Sequence, residues 1–527
     1  MERNKRVLEG LEPEPVFRYF EDLCEIPHGS GNVEAISDYL TAFARKRGYE
    51  TVQDGAKNVI VKIPASEGRE GLEPLILQGH MDMVAVKEDG CDADLSADPI
   101  RLQTDGDTVT AIGTSLGADD GIAVAYFCAL MDDRTIEHPE LIIVITTDEE
   151  TGMDGARALD PSLLSAKRLV NLDSEDEGVL LAGCAGGARV DMDLEGPVEE
   201  RRGVACGLEI TGLRGGHSGQ EIIKGRGNAC HIMGRILLAV IDEGEQTALT
   251  SMQGGVADNA IPSAARAALI VPDEAAFERV EKIVQRVTEE IKEELGSRDP
   301  ELAVKFLRSG EVDAAATSSD LLLRIASLLA ATPDGVQSMS DDLPGLPETS
   351  LNLGTMSFEV SQNSRDSGST SSEGMQNSGD SGSTCSEGMQ NSGKLSLGFS
   401  VRSVRTSARE ALIRKLEIIA KGLGASSQVH GRYPGWAYDR DSVICAHFAD
   451  VWEKMRGEKP LVEAIHAGVE CGIFKDKRPD LDCVSLGPQL HDIHSPAETM
   501  DVASVRRTWE YLLKALESWD LAAGQRK

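Results

Sequence analysis

Hydrophobic positions in the first 185 or so residues follow two alternating patterns. Short apolar runs rich in Val, Ile and Leu are typical of strands buried on both faces of a sheet. These runs are NVIVKI, PLILQGHMDMV, TVTAIG, LIIVITTD and KRLVNLD. Segments with helical spacing lie before and between them: PVFRYFEDLCEI, NVEAISDYLTAFARKRG and GIAVAYFCALMDD. The alternation predicts an α/β domain with a mostly parallel sheet flanked by helices.

The pattern changes from about residue 187. ARVDMDLEG and GLEITGL alternate like strands with one solvated face, and AARAALIVPD is a further strand. GRGNACHIMGRILLAVIDEG is an amphipathic helix, and DEAAFERVEKIVQRVTEEIKEELGS is a long charged one. Because helical and strand runs resume after about residue 408, we predict a smaller α+β domain at 187–408, inserted into a discontinuous domain of residues 1–186 and 409–527.

A tandem repeat interrupts the inserted segment. DSGSTSSEGMQNSG at 366–379 is followed by DSGSTCSEGMQNSG at 380–393, with one substitution. Ser, Gly, Asn and Gln dominate, so there is too little apolar surface to offset the entropy of ordering the chain. Since the repeat lies between the strand-like LNLGTMSFEV and KLSLGFSVRS, we predict a flexible hairpin tip, and we favour a tolerated loop expansion over a functional element.

Charge and composition argue against a nucleic-acid-binding or membrane protein. The 527 residues exceed the size of one ordinary domain, and 53 basic against 88 acidic residues give a net charge of −35. Such a surface repels nucleic acid and anionic membranes. The start, MERNKRVLEGLEPEPVF, lacks a signal peptide's apolar run, and no stretch is long enough to span a bilayer. Ten cysteines without CxxC pairs indicate reduced thiols, so we expect a cytoplasmic protein.

Acids and histidines recur at the ends of the predicted strands. They are His80 and Asp82 in GHMDMV, Asp119 in GTSLGADDGIA, Glu149 and Glu150 after LIIVITTD, Asp173 after RLVNLD, and His494 in HDIHSPAE. Each has a structural alternative: an HxD pair is common, adjacent acids in a turn can cap a helix, and the others can belong to ordinary loops. In combination, at the ends where open α/β sheets bind ligands, they form a mixed imidazole and carboxylate set that suits Zn²⁺ or Mn²⁺ and suffices for two divalent ions.

Eight motifs, in order, closely resemble those of the aminoacyl-histidine dipeptidases: GHMDMV, GTSLGADDGIA, TTDEETGMDGA, NLDSE, GGHSGQEI, NAIPS, IHAGVECG and HSPAE. This family belongs to the two-zinc metallopeptidases, which also include carnosinases, aminoacylases and glutamate carboxypeptidases. The resemblance runs from near the N-terminus to the last helix, and only the 366–393 repeat stands outside it. It implies hydrolysis of the peptide bond of dipeptides, either Xaa-His or a broad range of unblocked ones, and a lid or dimerisation role for the inserted domain.

The resemblance also implies a ligand set for two divalent ions per chain, Zn²⁺ in preference to Mn²⁺ or Co²⁺. His80 and Asp173 would bind one ion, Glu150 and His494 would bind the other, and Asp119 would bridge both. Each ion would then have three protein ligands and an open position, as catalysis needs.

Two further acids have implied catalytic roles. Asp82 would orient the His80 imidazole. Glu149 would be the general base, taking a proton from a metal-bridged water that attacks the peptide carbonyl and passing it to the leaving amine. The presence of Glu149 favours an enzyme over a non-catalytic peptide-binding relative.

Substrate contacts are implied for residues of the inserted domain. His217 in GGHSG resembles a histidine that polarises the substrate carbonyl, while Asn259 in NAIPS and Arg402 in FSVRS resemble residues that hold the substrate backbone and its C-terminal carboxylate. Without the resemblance, Arg402 would be interpreted as a surface ion pair. For Glu470 in IHAGVECG, a contact to the substrate's free amine and a structural turn both stay open.

An aminoacylase or carboxypeptidase acting on N-acyl amino acids is the alternative within hydrolases. The expected partners are small peptide substrates and a second copy in a homodimer, the default symmetric assembly.

Overall fold

The computed structural model describes residues 6–361 and 392–520, and the chain divides into two compact units. The first comprises Met1–Ala185 and Tyr433–Lys527, and the second is Gly186–Arg432. The chain therefore returns to the first unit at 433 and not at the predicted 409. The reason is a helix at Thr406–Gly422, whose apolar side chains, Leu412 and Leu416 among them, pack in the core of the second unit.

The first part of unit one alternates helices and strands as the sequence predicts. Its helices are α1 (Glu14–Cys24), α2 (Glu34–Lys46), α3 (Ala118–Asp132), α4 (Glu149–Gly152) and α5 (Asp154–Ala158). Its strands are β1 (Glu50–Gln53), β2 (Val59–Ile63), β3 (Leu75–His80), β4 (Leu102–Thr104), β5 (Thr108–Ala111), β6 (Leu141–Thr146), β7 (Arg168–Asn171) and β8 (Val179–Cys184). Every residue of β3 and β6 is buried, which explains why their sequences do not alternate.

The second unit is built on long antiparallel strands. Its strands are β9 (Gly186–Thr211), β10 (Gly216–His217), β11 (Ala248–Gly254), β12 (Ala260–Ile261), β13 (Ala265–Val271), β14 (Ala303–Thr317), β15 (Gly335–Met339), β16 (Pro347–Ser361), β17 (Ser392–Ser403) and β18 (Ser426–Tyr433). Its helices are α6 (Ala229–Asp242), α7 (Glu274–Leu295), α8 (Ser319–Ala331) and α9 (Thr406–Gly422). The two strands predicted from ARVDMDLEG and GLEITGL are parts of the single strand β9.

The strands on either side of the tandem repeat pair with each other. β16 and β17 are antiparallel, with Glu359 opposite Lys394 and Ser361 opposite Ser392, as a hairpin requires. The repeat at 366–393 lies outside the described residues except for its last two, which begin β17.

The chain completes the first unit with α10 (Val443–Arg456), β19 (Leu461–Ile465), α11 (Glu470–Lys477), β20 (Asp482–Ser485), β21 (Leu490–His491), β22 (Thr499–Asp501) and α12 (Val502–Glu517). The main sheet has the order β1-β2-β6-β3-β7-β20-β8-β19. The pairs β6–β3, β3–β7, β7–β20 and β8–β19 are parallel, which confirms the predicted mostly parallel α/β sheet. β20, from the end of the chain, lies between β7 and β8 from its beginning.

None of the helices within residues 6–361 and 392–520 combines the length and apolar character needed to cross a membrane.

Candidate metal and active site

The candidate site lies at one end of three neighbouring strands of the first unit. β6, β3 and β7 are adjacent and parallel, so their carboxyl ends share one edge of the sheet. His80 is the last residue of β3, Glu149 and Glu150 begin α4 shortly after β6, and Asp173 follows the end of β7. The edge where open α/β sheets bind ligands therefore carries an imidazole and three carboxylates.

Two loops bring Asp119 and His494 to the same place. Asp119 lies in the first turn of α3, two residues after Gly117, whose φ of 71° favours glycine. His494 lies in the loop between β21 and β22. Because β22 pairs with β5, the strand that precedes α3, this loop is held beside the start of α3.

The side chains form two ligand groups that share Asp119. In the first, His80 Nε2 is 3.2 Å from Asp119 Oδ1 and 3.3 Å from Asp173 Oδ1. In the second, His494 Nε2 is 3.2 Å from Asp119 Oδ2 and 2.9 Å from Glu150 Oε2. Within each group all ligand atoms lie within 4.8 Å of one another. The structure thus brings together the five residues that the sequence predicts as metal ligands, with one Asp119 oxygen in each group.

The chemistry of these groups fits divalent metal ions. Imidazole nitrogens and carboxylate oxygens are ligands that Zn²⁺ accepts at tetrahedral sites. Glu150 Oε1 is buried and has no hydrogen-bond partner in the described part of the chain, which is unfavourable unless a cation takes that place.

The pKa shifts of the ligand residues also favour a bound cation. Hydrogen bonds to Asp119 and Glu150 raise the pKa of His494 to about 11. Burial alone would raise the pKa of Asp119, but hydrogen bonds from His494 and His80 hold it below its usual range. Burial opposes a charged His80, yet the carboxylates around it, Asp173 first, raise its pKa well above normal. The cluster therefore favours positive charge at its centre.

Asp82 connects the first ligand group to Glu149. His80 Nδ1 donates to the backbone oxygen of Asp82 at 3.0 Å, while the Asp82 carboxylate Oδ1 lies 3.6 Å from the same nitrogen. That carboxylate accepts from the Glu149 N–H at 3.1 Å and from Ser30 Oγ at 2.8 Å. Asp82 is therefore placed to orient the imidazole mainly through its backbone and to hold Glu149 through its side chain.

Glu149, unlike its neighbour Glu150, belongs to neither ligand group. Its neighbour Asp148 has a different function, because Asp148 Oδ1 accepts from the Gly31 N–H at 2.6 Å. Burial raises the pKa of Glu149 well above its usual range, an effect that His80 opposes and that the charges of Asp173 and Glu470 reinforce. A carboxyl group in this setting has a strong tendency to accept a proton.

Glu498 is a buried residue of the site that the sequence reasoning missed. Its Oε2 accepts from the N–H groups of Leu116 and Gly117 at 2.8 and 3.0 Å, and its Oε1 accepts from those of Ala118 and Asp119 at 2.8 and 3.4 Å. One carboxylate therefore fixes the turn that presents Asp119. Its position in HSPAE, four residues after His494, does not by itself distinguish it from a solvated loop acid.

We expect Glu498→Ala to weaken both the fold and metal binding. It leaves buried N–H groups unpaired, so the free energy of unfolding should fall by about 2–5 kcal/mol. Since the turn that carries Asp119 is loosened, zinc affinity should fall about 10- to 100-fold. Thermal unfolding and competition with a zinc chelator measure the two effects.

Glu510→Ala on α12 is the control, because its 3.5 Å ion pair with Arg506 is exposed and should contribute at most about 1 kcal/mol. Unchanged zinc affinity in Glu498→Ala would contradict the role assigned to Glu498.

Glu470 is bonded within the main sheet of the first unit. It is 0% exposed, and its Oε2 accepts from Thr146 Oγ1 at 2.7 Å and from Gln78 Nε2 at 2.5 Å. Gln78 in turn accepts from Asn171 Nδ2 at 2.8 Å. Glu470 is the first residue of helix α11, and its carboxylate links β3, β6 and β7, so the structure gives it a structural role.

Glu175 is a second acid that the sequence reasoning did not single out. It follows Asp173 by two residues and is partly exposed. Burial, together with the negative charges of Asp119 and Asp173, raises the pKa of Glu175 to about 8.

The three predicted substrate contacts lie together in the second unit. His217 pairs with Ala260 between β10 and β12, and the Ser218 N–H donates to the backbone oxygen of Asn259 at 2.8 Å. Burial lowers the pKa of His217, and the positive charge of Arg402 lowers it further. The structure thus brings the three residues near one another, while their contacts to substrate stay predictions.

Comparison with known proteins agrees with these observations. The chain is 34% identical over 518 residues, 97% of its own length and 98% of the relative's, to the cytosol non-specific dipeptidase of Escherichia coli. The crystal structure of aminoacylhistidine dipeptidase from Vibrio alginolyticus matches with a TM-score of 0.85 and 34% identity, covering 98% of this chain and 99% of that one. The aminopeptidase PepT from Bacillus cereus shares the fold, with a TM-score of 0.57 and 16% identity over 96% of this chain and 98% of that one. The profile of peptidase family M20/M25/M40 matches residues 76–518, and the chain belongs to this family.

Proposed function

We propose that this chain is a metal-dependent dipeptidase that hydrolyses unblocked dipeptides, Xaa-His among them. The observation that carries the proposal is the sharing of Asp119 between two ligand groups, with Glu149 adjacent to one ligand and belonging to neither group. The similarity over nearly the full length to two dipeptidases supports the substrate class.

His80, Asp119 and Asp173 would hold one divalent ion, and Asp119, Glu150 and His494 the other. When bound, such ions supply Lewis-acid polarisation of a carbonyl oxygen and make water easier to deprotonate. The residues around them fix their position: Asp82 holds His80, and Glu498 holds the turn of Asp119.

Glu149 moves the protons of the reaction. It accepts one from the attacking water as the water oxygen bonds to the peptide carbon. It then donates that proton to the amide nitrogen as the C–N bond breaks, so the amine leaves in neutral form. The Asp82 carboxylate, which accepts from the Glu149 N–H, keeps the base in place through both steps.

We propose that three residues of the second unit contact the substrate. His217 would donate to the carbonyl oxygen as negative charge develops on it, Asn259 would bind the substrate backbone, and Arg402 would bind the C-terminal carboxylate through two parallel hydrogen bonds. The mutual closeness of the three supports a common ligand.

We also propose a metal ion, an oligomeric state and a cellular location for the protein. Zn²⁺ is the preferred ion for this mixed ligand set, although Mn²⁺ and Co²⁺ can occupy the same ligands. A homodimer is proposed as the common symmetric assembly. The name of the Escherichia coli relative supports a cytoplasmic location.

A substrate panel tests the proposal. We expect the zinc-loaded protein to hydrolyse β-alanyl-histidine or simple dipeptides, with N-acetyl amino acids turned over at least about 100-fold more slowly, since a site built for a charged group rejects analogues that lack it. Release of free amino acids is the measurement. Turnover of N-acyl compounds alone would establish an aminoacylase or carboxypeptidase, and no turnover of any compound would favour a peptide-binding protein.

A further inference from the structure

Asn352 lies on strand β16 of the second unit, beside the loop that carries Asn259. Its side-chain Nδ2 donates to the backbone oxygens of Asp258 and Ala260, each at 2.9 Å. These are the residues immediately before and after Asn259. Because both acceptors are carbonyl oxygens, the amide nitrogen of Asn352, and not its Oδ1, must face the loop. One side chain therefore holds the backbone on both sides of a proposed substrate contact.

The side chain of Asn352 is buried at some cost. The residue is 1% exposed, and within residues 6–361 and 392–520 its Oδ1 has no hydrogen-bond partner. A buried polar atom without a partner is unfavourable, so the stability of the strand does not by itself explain an amide at this position. The two hydrogen bonds that Asn352 donates to the loop do explain it.

The loop also lies directly against β16 at Gly354. A Cβ atom added to Gly354 would come 2.5 Å from the backbone oxygens of both Ala257 and Asp258. Glycine is therefore required there for the loop to approach the strand so closely. Two positions of one strand, Asn352 and Gly354, thus set where the loop lies.

Asn259 is the residue that these contacts would place. We propose that Asn352 is a positioning residue, which fixes Asn259 for its contact with the substrate backbone. His217 keeps its own pairing with Ala260 between β10 and β12 and does not depend on the Asn352 amide for it. This inference rests on the proposed dipeptidase function and adds the residue that orders its substrate-binding loop.

Asn352→Leu tests this role, because leucine has a similar size and donates no side-chain hydrogen bond. With L-alanyl-L-histidine as substrate, we expect KM to rise about 5- to 20-fold and kcat to change less than about threefold, since a displaced Asn259 weakens substrate binding. Zinc content should equal that of wild type, because no residue of the loop belongs to a ligand group. Gly354→Ala should raise KM in the same way, because its Cβ displaces the same loop.

A double-mutant cycle separates positioning from a general loss of stability. Asn259→Ala alone should raise KM at least as much as Asn352→Leu does. Adding Asn352→Leu to Asn259→Ala should raise KM by less than about threefold more, because the contact that Asn352 serves is already lost.

Thr349→Val is the matched control on the same strand. It also removes a buried side-chain hydrogen bond, the 2.9 Å bond between Thr349 Oγ1 and Ser403 Oγ, but Thr349 is on the opposite face of β16 from Asn352. It should lower the unfolding temperature about as much as Asn352→Leu does and leave KM within about twofold of wild type.

An unchanged KM in Asn352→Leu would overturn the assignment of Asn352, as would an equal rise of KM in Thr349→Val. A further rise of more than about threefold in the double variant would overturn it too. If Asn352→Leu does not fold, Gly354→Ala carries the same comparisons. Failure of the wild-type protein to hydrolyse L-alanyl-L-histidine would instead refute the proposed function, and an unchanged KM in Asn259→Ala would refute the substrate contact of Asn259. In either case the role of Asn352 falls with it.

Discussion

Asp119→Ala is expected to remove both metal ions and essentially all peptidase activity. Asp119 supplies Oδ1 to the group of His80 and Oδ2 to the group of His494, at 3.2 Å from each imidazole. Without it each group keeps only two protein ligands, fewer than catalytic zinc sites use. We expect fewer than about 0.2 zinc ions per chain after dialysis and a fall in kcat/KM of at least about 10³-fold, since the metal ions supply several kcal/mol of transition-state stabilisation.

Metal analysis by mass spectrometry and a dipeptide assay measure the two effects. Asp133→Ala is the control, because Asp133 follows the other end of α3 and is exposed. Retention of two ions per chain in Asp119→Ala would contradict the shared-ligand arrangement.

The Glu149→Gln variant should retain both metal ions but have a much lower kcat. Gln is similar in size and cannot accept the proton, so kcat should fall about 10²- to 10⁴-fold, the range for loss of a general base. Since Glu149 belongs to neither ligand group, zinc content should not change. Kinetics and metal analysis on the same preparation separate this result from a metal defect.

Two neighbours of Glu149 serve as comparisons. Glu150→Ala should lose one ion, because Glu150 is a ligand of the second group only. Asp148→Asn should keep activity within a few-fold, because an amide oxygen can still accept from the Gly31 N–H. If Glu149→Gln lost zinc as Glu150→Ala does, Glu149 would be a ligand and not the base.

The parts of the fold that position the site were predictable from hydrophobic pattern. LILQGH and LIIVIT are buried throughout and mostly apolar because helices cover both faces of the sheet, and their ends marked where His80 and Glu149 would lie. The structure brings the five predicted ligands together for the same reason, since the carboxyl ends of β6, β3 and β7 share an edge.

The boundary between the two units and the environments of two acids could not be predicted from the sequence. The apolar stripe of α9 looks the same whichever unit it packs on, so the return to the first unit was misplaced by some two dozen residues. Glu498 and Glu175 lie in short polar loops, where a buried or half-buried acid has the same local sequence pattern as a solvated one. Their environments come from distant segments and cannot be inferred from local spacing.

The position of β20 in the main sheet has a consequence for how the first unit folds. β20 separates β7 from β8, although more than 290 residues of chain lie between β8 and β20. Until residues 482–485 are available, β7 and β8 lack the neighbour that joins them, and His494 is not yet in reach of Asp119. Contacts of such long range form slowly. The second unit, continuous from Gly186 to Arg432, can therefore form before the first is complete, and the site is among the last parts of the molecule to assemble.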